Sequence, residues 1–216
     1  DYSSAWLLKD GQMESLQEKF DKKGLMILYT APWPGQGLYT KFPVNSVSDF
    51  SGKKLRIYST ATQQMGSMLG FNATILPFAE IPQAFSTGLI EALFTSPQTG
   101  IDIQAWDNTK HFTYAGAIFS KNAVVVTKKA FNALSKGDQS NMLAAAKKAE
   151  LRGWEMSAET TKKQIDILKK NGMSSKNAPD EVISKMKSIG LEMMKNWRSK
   201  ASPEANAVLD RYLSMR

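Results

Sequence analysis

Between Asp138 and about Asn171 the chain has no proline and a single glycine, Gly153. A helix of that length runs ~50 Å at 1.5 Å per residue. That exceeds the width of a small domain, so the helix must either bridge two lobes or bend at Gly153. Leu143, Ala146, Leu151, Trp154, Ile165 and Leu168 form a broken apolar stripe along it. A chain of 216 residues fits one large domain or two small ones.

The residues before it alternate in texture. Met13, Leu16 and Phe20 recur at helical spacing, and Gly24 stops that helix. Leu25–Thr30 then reads as a buried strand. Two prolines and two glycines in 31–37 (APWPGQG) read as a loop without regular structure. Lys54–Ser59 alternates as a strand, with Leu55 and Ile57 on one side and Arg56 and Tyr58 on the other. Thr60 starts a helix that Gly70 stops, and Pro82 and Pro97 open two more. Ala73–Leu76, Leu89–Thr95, His111–Ala115 and Ala123–Thr127 read as further strands. Two helices close the chain, with faces Val182-Met186-Ile189 and Val208-Leu209-Tyr212 and with Pro179 and Pro203 at their starts. Strand–helix alternation followed by helices predicts an α/β fold with a mostly parallel or mixed sheet.

Several chemistries fall away. Without cysteine there is no disulfide, thiol nucleophile or Cys-based metal site. The single histidine, His111, removes a His-rich metal site, and no G-x-S-x-G elbow accompanies it. No apolar stretch approaches the ~20 residues of a membrane span, and no basic start with an apolar run marks a secretory signal. The net charge of +8 is compatible with a polyanion or an anionic small ligand. The lysines, however, fall in dispersed pairs interleaved with acids, the pattern of solvated helix faces.

Among single residues Arg56 is the most informative. An arginine inside a strand is rarely buried unless it is paired. Its planar fork can hold a carboxylate through two charge-assisted hydrogen bonds. The competing reading is an edge-strand arginine in water or an internal salt bridge. Pro34-Gly35-Gln36-Gly37, near Trp33 and Tyr39, is equally a ligand-facing loop or a simple turn. Glu80 and Glu91 flank apolar segments at strand–helix junctions, where a lone carboxylate often complements a helix dipole.

Three blocks carry a resemblance. Val47–Ser59 (VSDFSGKKLRIYS), after Phe42-Pro43-Val44, resembles the P-I-x-S-x-x-D-L-K-G-L-K-I-R signature of the DctP-type solute receptors of TRAP (tripartite ATP-independent periplasmic) transporters. Leu76–Glu91 (LPFAEIPQAFSTGLIE) resembles the family's P-x-x-F-x-E-V-Y-x-A-L-Q-x-G-x-V-D, and Asn122–Leu134 continues the match. The resemblance implies an α/β, two-lobed periplasmic binding protein-like fold with mixed sheets and a long lobe-bridging helix. Residues 1–33 and 122–161 would form a partial first lobe, and 34–121 and 162–216 the second lobe with the C-terminal helices. The first lobe would be incomplete, because family members are longer and start with a strand–helix–strand unit.

The same resemblance implies a periplasmic transport protein rather than an enzyme; no cofactor is expected, and no metal, since the acidic metal-binding variant of some relatives is not evident at Phe94–Pro97. It would bind an organic acid between its lobes and deliver it to TRAP membrane subunits, without nucleic acid. Arg56 would pair with the ligand carboxylate. Thr95 or Ser96 would donate from the position before Pro97, and Phe78 would line the site. Gln36 stands where some members place a second arginine. Phe78, Phe94 and Trp33 would form an apolar wall, favouring an apolar or aromatic monocarboxylate. Strands of the shortened lobe, Leu25–Thr30 and Ala123–Thr127, would be exposed and favour self-association. The alternatives are a small α/β enzyme using His111 or Glu91, and a basic polyanion-binding protein.

Overall fold

A computed structural model describes residues 1–215. In chain order the elements begin with α1 (Tyr2–Asp21), β1 (Leu25–Pro32), β2 (Gln36–Thr40), β3 (Lys54–Ile57), α2 (Thr60–Met68) and β4 (Asn72–Ile75). They continue with α3 (Ile81–Ser86), β5 (Ala92–Thr95), α4 (Pro97–Asp102), β6 (His111–Ala117) and β7 (Lys121–Thr127). The last are α5 (Lys128–Asn132), α6 (Lys136–Lys170), β8 (Ser174–Asn177), α7 (Asp180–Arg198) and α8 (Pro203–Ser214). Among the described residues no helix is long and apolar enough to cross a membrane.

The chain divides into two compact units. The first contains Asp1–Pro34, Phe119–Thr160 and Ala201–Arg216; the second contains Gly35–Ile118 and Thr161–Lys200. The 35-residue helix α6 is unbroken at Gly153 and contributes residues to both units. Sequence reasoning assigned 201–216 to the second lobe. The structure places this segment in the first unit, because α8 packs on α1.

The second unit is built on a six-stranded sheet in the order β4-β3-β5-β2-β6-β8. β3 runs parallel to β4 and β5, β2 is antiparallel to β5 and β6, and β6 is parallel to β8. Strand alternation sends side chains to two faces. Leu38, Leu55, Ile57 and Phe94 point to one, where Val182, Met186 and Ile189 of α7 and Met65 of α2 complete the core. Tyr39, Leu93 and Phe112 point to the other, with Ile81 and Phe85 of α3 and Leu168 of α6. Burial on both faces makes this a helix–sheet–helix layering.

Two strands differ from the sequence reading. The segment 31–37 was expected to be a loop, yet β1 extends to Pro32 and β2 begins at Gln36. β2 pairs on both sides, so its neighbours satisfy a backbone that composition alone marks as irregular. β8 (SSKN) was not anticipated, since its polar residues carry no apolar period.

The first unit has only a two-stranded sheet, β1 antiparallel to β7, with a register irregularity between Ile27 and Tyr29. Both strands predicted at Leu25–Thr30 and Ala123–Thr127 are thus present, paired with each other. Among the described residues their outer edges have no strand neighbour. A polar network supports this small sheet. Thr30 donates from N and Oγ1 to Glu150 Oε1 at 2.9 and 2.7 Å, and Trp154 Nε1 donates to Thr30 Oγ1 at 3.2 Å. Lys9 Nζ lies 3.2 Å from Glu150 Oε2 and 3.8 Å from the Trp6 ring centroid.

Candidate functional site: the carboxyl edge of the second sheet

The parallel strands β3, β4 and β5 all end on one edge of the sheet of the second unit. In open α/β sheets that edge is where ligands are held. At β3 the chain leaves through Tyr58 to Ser59, whose hydroxyl accepts from Thr62 N and caps α2. Leu76-Pro77-Phe78 follows β4. Thr95 ends β5, and Ser96 caps α4 by accepting from Thr99 N at 3.2 Å.

Arg56 is buried at this edge, with 5% of its surface exposed. It lies on the opposite face of β3 from Leu55 and Ile57, as the alternation predicts. Nε donates to Leu76 O at 3.0 Å, and the guanidinium carbon lies 6.0 Å from the Tyr58 ring centroid. Among the described residues no carboxylate pairs with it. Burial, partly offset by Tyr58, lowers its pKa from the ordinary value. A guanidinium carries five N–H donors, so after the Leu76 contact the two terminal nitrogens remain for an anion. This arrangement answers the question that sequence left open: Arg56 is neither in water nor in an internal salt bridge.

Gln36, 3% exposed, exchanges two hydrogen bonds with Tyr58: its Nε2 donates to Oη at 2.8 Å and Tyr58 Oη donates to its Oε1 at 3.0 Å. β5 lies between the strands that carry these two residues, so the pair spans the Thr95 end of that strand. Thr95 is buried on the Arg56 side, its strand register set by Gly37. Gly37 has no room for a Cβ, which would strike the Thr113 carbonyl and the Phe112 ring. Gly100 is equally restricted by the Tyr39 phenol, which donates to the carbonyls of Ser96 at 3.2 Å and Pro97 at 3.3 Å. Burial pushes the Tyr39 hydroxyl well above its ordinary pKa, so it remains a donor that holds the β5–α4 turn.

The remaining sequence candidates separate. Phe78 is 52% exposed, two residues beyond the carbonyl that binds Arg56. Ser96 is buried and its hydroxyl is committed to the α4 cap and to Thr99 Oγ1 at 3.1 Å. Phe94 is fully buried in the core with Leu55 and Ile57, on the face opposite Arg56. It therefore supplies core and not ligand wall, which removes one member of the expected apolar wall. Trp33 belongs to the first unit, where its backbone N–H donates to Ser120 O at 2.8 Å. His111 and Glu91 lie at the other end of the sheet. His111 pairs in register with Thr40 and Ser174, and Glu91 accepts from Lys54 N at 3.3 Å and lies 3.7 Å from Lys53 Nζ. Among the described residues no group of three or more metal-ligating side chains gathers.

Residues 2–200 match the family described as bacterial extracellular solute-binding protein, family 7, or DctP. The chain belongs to the DctP family. Its fold superposes with a TM-score of 0.94 and 37% identity on DctP7, a Bordetella pertussis extracytoplasmic solute receptor binding pyroglutamic acid, covering 98% of this chain and 70% of that one. A second Bordetella pertussis receptor for pyroglutamic acid, DctP6, gives 0.94 and 34%, covering 99% and 71%. A solute-binding protein of Chromohalobacter salexigens is 26% identical over 167 residues, 73% of this chain and 49% of that protein. The chain thus spans about half the length of that curated relative. In this DctP-family chain Tyr58, which the sequence reading did not single out, stands next to Arg56 at this edge. The signal was present: alternation placed it on the Arg56 side of the strand, two residues on.

Proposed function

We propose that this chain is the solute-binding component of a periplasmic TRAP-type transporter, and that it takes a small organic acid by its carboxylate at Arg56 and passes it to the membrane subunits. The observation that carries this reading is a buried guanidinium with no acidic partner among the described residues, placed at the carboxyl ends of the parallel strands of a mixed sheet. Burying an unpaired charge is costly, and a fold that retains one gains from an anion arriving there. Charge-assisted, bidentate hydrogen bonds in a desolvated site are the strong ones. Thr95 is the second donor at this edge, and Phe78, exposed two residues beyond the Leu76 carbonyl that binds Arg56, offers an apolar surface. The relatives described as binding pyroglutamic acid support a compact monocarboxylate as cargo. A single arginine, with Gln36 where a second cation would stand, agrees with one negative charge rather than two.

The test is calorimetric titration of pyroglutamate into the protein and its variants. Arg56→Lys keeps a charge but loses the planar fork and is expected to weaken binding at least tenfold, the scale of one charge-assisted bond of about 1.5–3 kcal/mol. Unchanged affinity in Arg56→Lys would remove Arg56 from the site.

A further inference from the structure

We infer that Tyr58 is a positioning residue for Arg56, locked by Gln36 so that the guanidinium is oriented before any ligand arrives. The inference rests on the reading of Arg56 as the carboxylate partner and adds a residue that the family signature does not contain. Arg56 has four side-chain torsions, and a long side chain costs appreciable rotamer entropy to fix. Two contacts constrain it. One is the Nε–H bond to Leu76 O at 3.0 Å. The other is the Tyr58 ring, 6.0 Å from the guanidinium carbon, at the outer reach of a cation–π contact.

A free tyrosine ring would be a poor guide, because it can swing about its own first torsion. Here it cannot swing without cost. The phenol both accepts from and donates to the Gln36 amide, at 2.8 and 3.0 Å, and Gln36 is almost wholly buried at the start of an interior strand. The pair ties β2 to the end of β3 across β5, so the ring inherits the rigidity of three strands. Gln36 therefore acts on the ligand through Tyr58 and Arg56, and not by taking the place of a second arginine. Pre-organisation of this kind saves the ordering cost at the moment of binding.

The experiment compares wild type, Tyr58→Phe and Gln36→Leu, each as the ligand-free chain and with pyroglutamate. Tyr58→Phe keeps the ring and loses its anchor; Gln36→Leu loses the anchor from the other side, and either serves if the other fails to fold. In the ligand-free proteins, nitrogen-15 NMR reads hydrogen exchange at Arg56 Nε–H. Several-fold faster exchange in both variants is expected, with backbone amides of β3 unaltered. In titrations each variant is expected to bind pyroglutamate roughly 3- to 10-fold more weakly, the worth of one net hydrogen bond. The double variant is expected to be no weaker than either single one, because both cut the same link. Unchanged Nε–H exchange, or losses that add in the double variant, would overturn the inference. If Arg56→Lys left affinity intact while the exchange result held, the carboxylate reading would fail and the positioning would stand.

Discussion

In the first unit a lysine with 4% of its surface exposed, Lys9, lies 3.2 Å from Glu150; in the second an arginine almost as deeply buried, Arg56, meets a backbone carbonyl and the face of a phenol and, among the described residues, no carboxylate. Glu150 is itself saturated, with Thr30 N–H and Oγ1–H on its other oxygen. The first arrangement is closed: Lys9 and Glu150 are each other's counter-charge, and the network stitches α1 and α6 to a sheet of only two strands. The second is open on the side of its terminal nitrogens. The two charges are alike in burial depth and differ in counter-charge: Lys9 has Glu150, and among the described residues Arg56 has no acid.

The largest expected effect tests the closed side. Glu150→Ala leaves Lys9 buried without a partner and strips Thr30 of its acceptor. Removing one member of a buried pair typically costs about 3–5 kcal/mol. With the Glu150 side chain 20% exposed, the lower end, about 3 kcal/mol, is expected from urea unfolding. Acid should erode the same term. Burial opposes ionisation of Glu150, but the Thr30 hydroxyl, the Thr30 N–H and Lys9 together outweigh it and hold its pKa below the ordinary value. A carboxyl lowered on folding contributes stability above its unfolded pKa, about 4.3. That contribution is lost as pH falls through the lower folded value. The acid limb of stability against pH should therefore be shallower in Glu150→Gln than in wild type; an identical limb would mean the network is not coupled to folding.

The open side predicts the reverse sign. Arg56→Met replaces a desolvated, unpaired cation with an apolar chain of similar length that can lie along the same path. The ligand-free protein should become more stable, by about 1 kcal/mol, the low end of what replacing buried ionic groups by apolar ones has given. Pyroglutamate binding should be abolished in the same variant. Loss of stability comparable to that of Glu150→Ala would erase the distinction between the two charges and make Arg56 a structural residue.

Legibility in the sequence followed the same division. Leu55-Arg56-Ile57 alternates strictly, so the face of Arg56 could be read from the sequence alone. The run Leu89–Thr95 is apolar almost throughout, so it carries no period, and Phe94 was placed on the ligand side when it belongs to the core. β2 was hidden because Pro34 and Gly35 precede it, and its pairing partners lie dozens of residues away. The Lys9–Glu150 pair joins residues 141 apart, and the Gln36–Tyr58 pair residues 22 apart. No local pattern encodes such contacts. What is local, namely alternation, caps and proline starts, was readable; what depends on the order of strands in the sheet was not.

The smallest expected effect sharpens the comparison from within α6. Arg152 and Glu155 form an i,i+3 pair on the same helix as Glu150, at 3.2 Å, the same length as the Lys9–Glu150 contact. Their side chains are 62% and 59% exposed. In water the Coulomb gain is screened, and holding two long side chains in one geometry costs entropy. Arg152→Ala is therefore expected to shift the urea midpoint by no more than the equivalent of about 0.3–0.5 kcal/mol, and less at high salt. Equal distances with effects about an order of magnitude apart would show that desolvation and the added Thr30 bonds, and not proximity, give the buried pair its weight. A loss in Arg152→Ala approaching that of Glu150→Ala would place the strength in the helix pairing itself and dissolve the argument from burial.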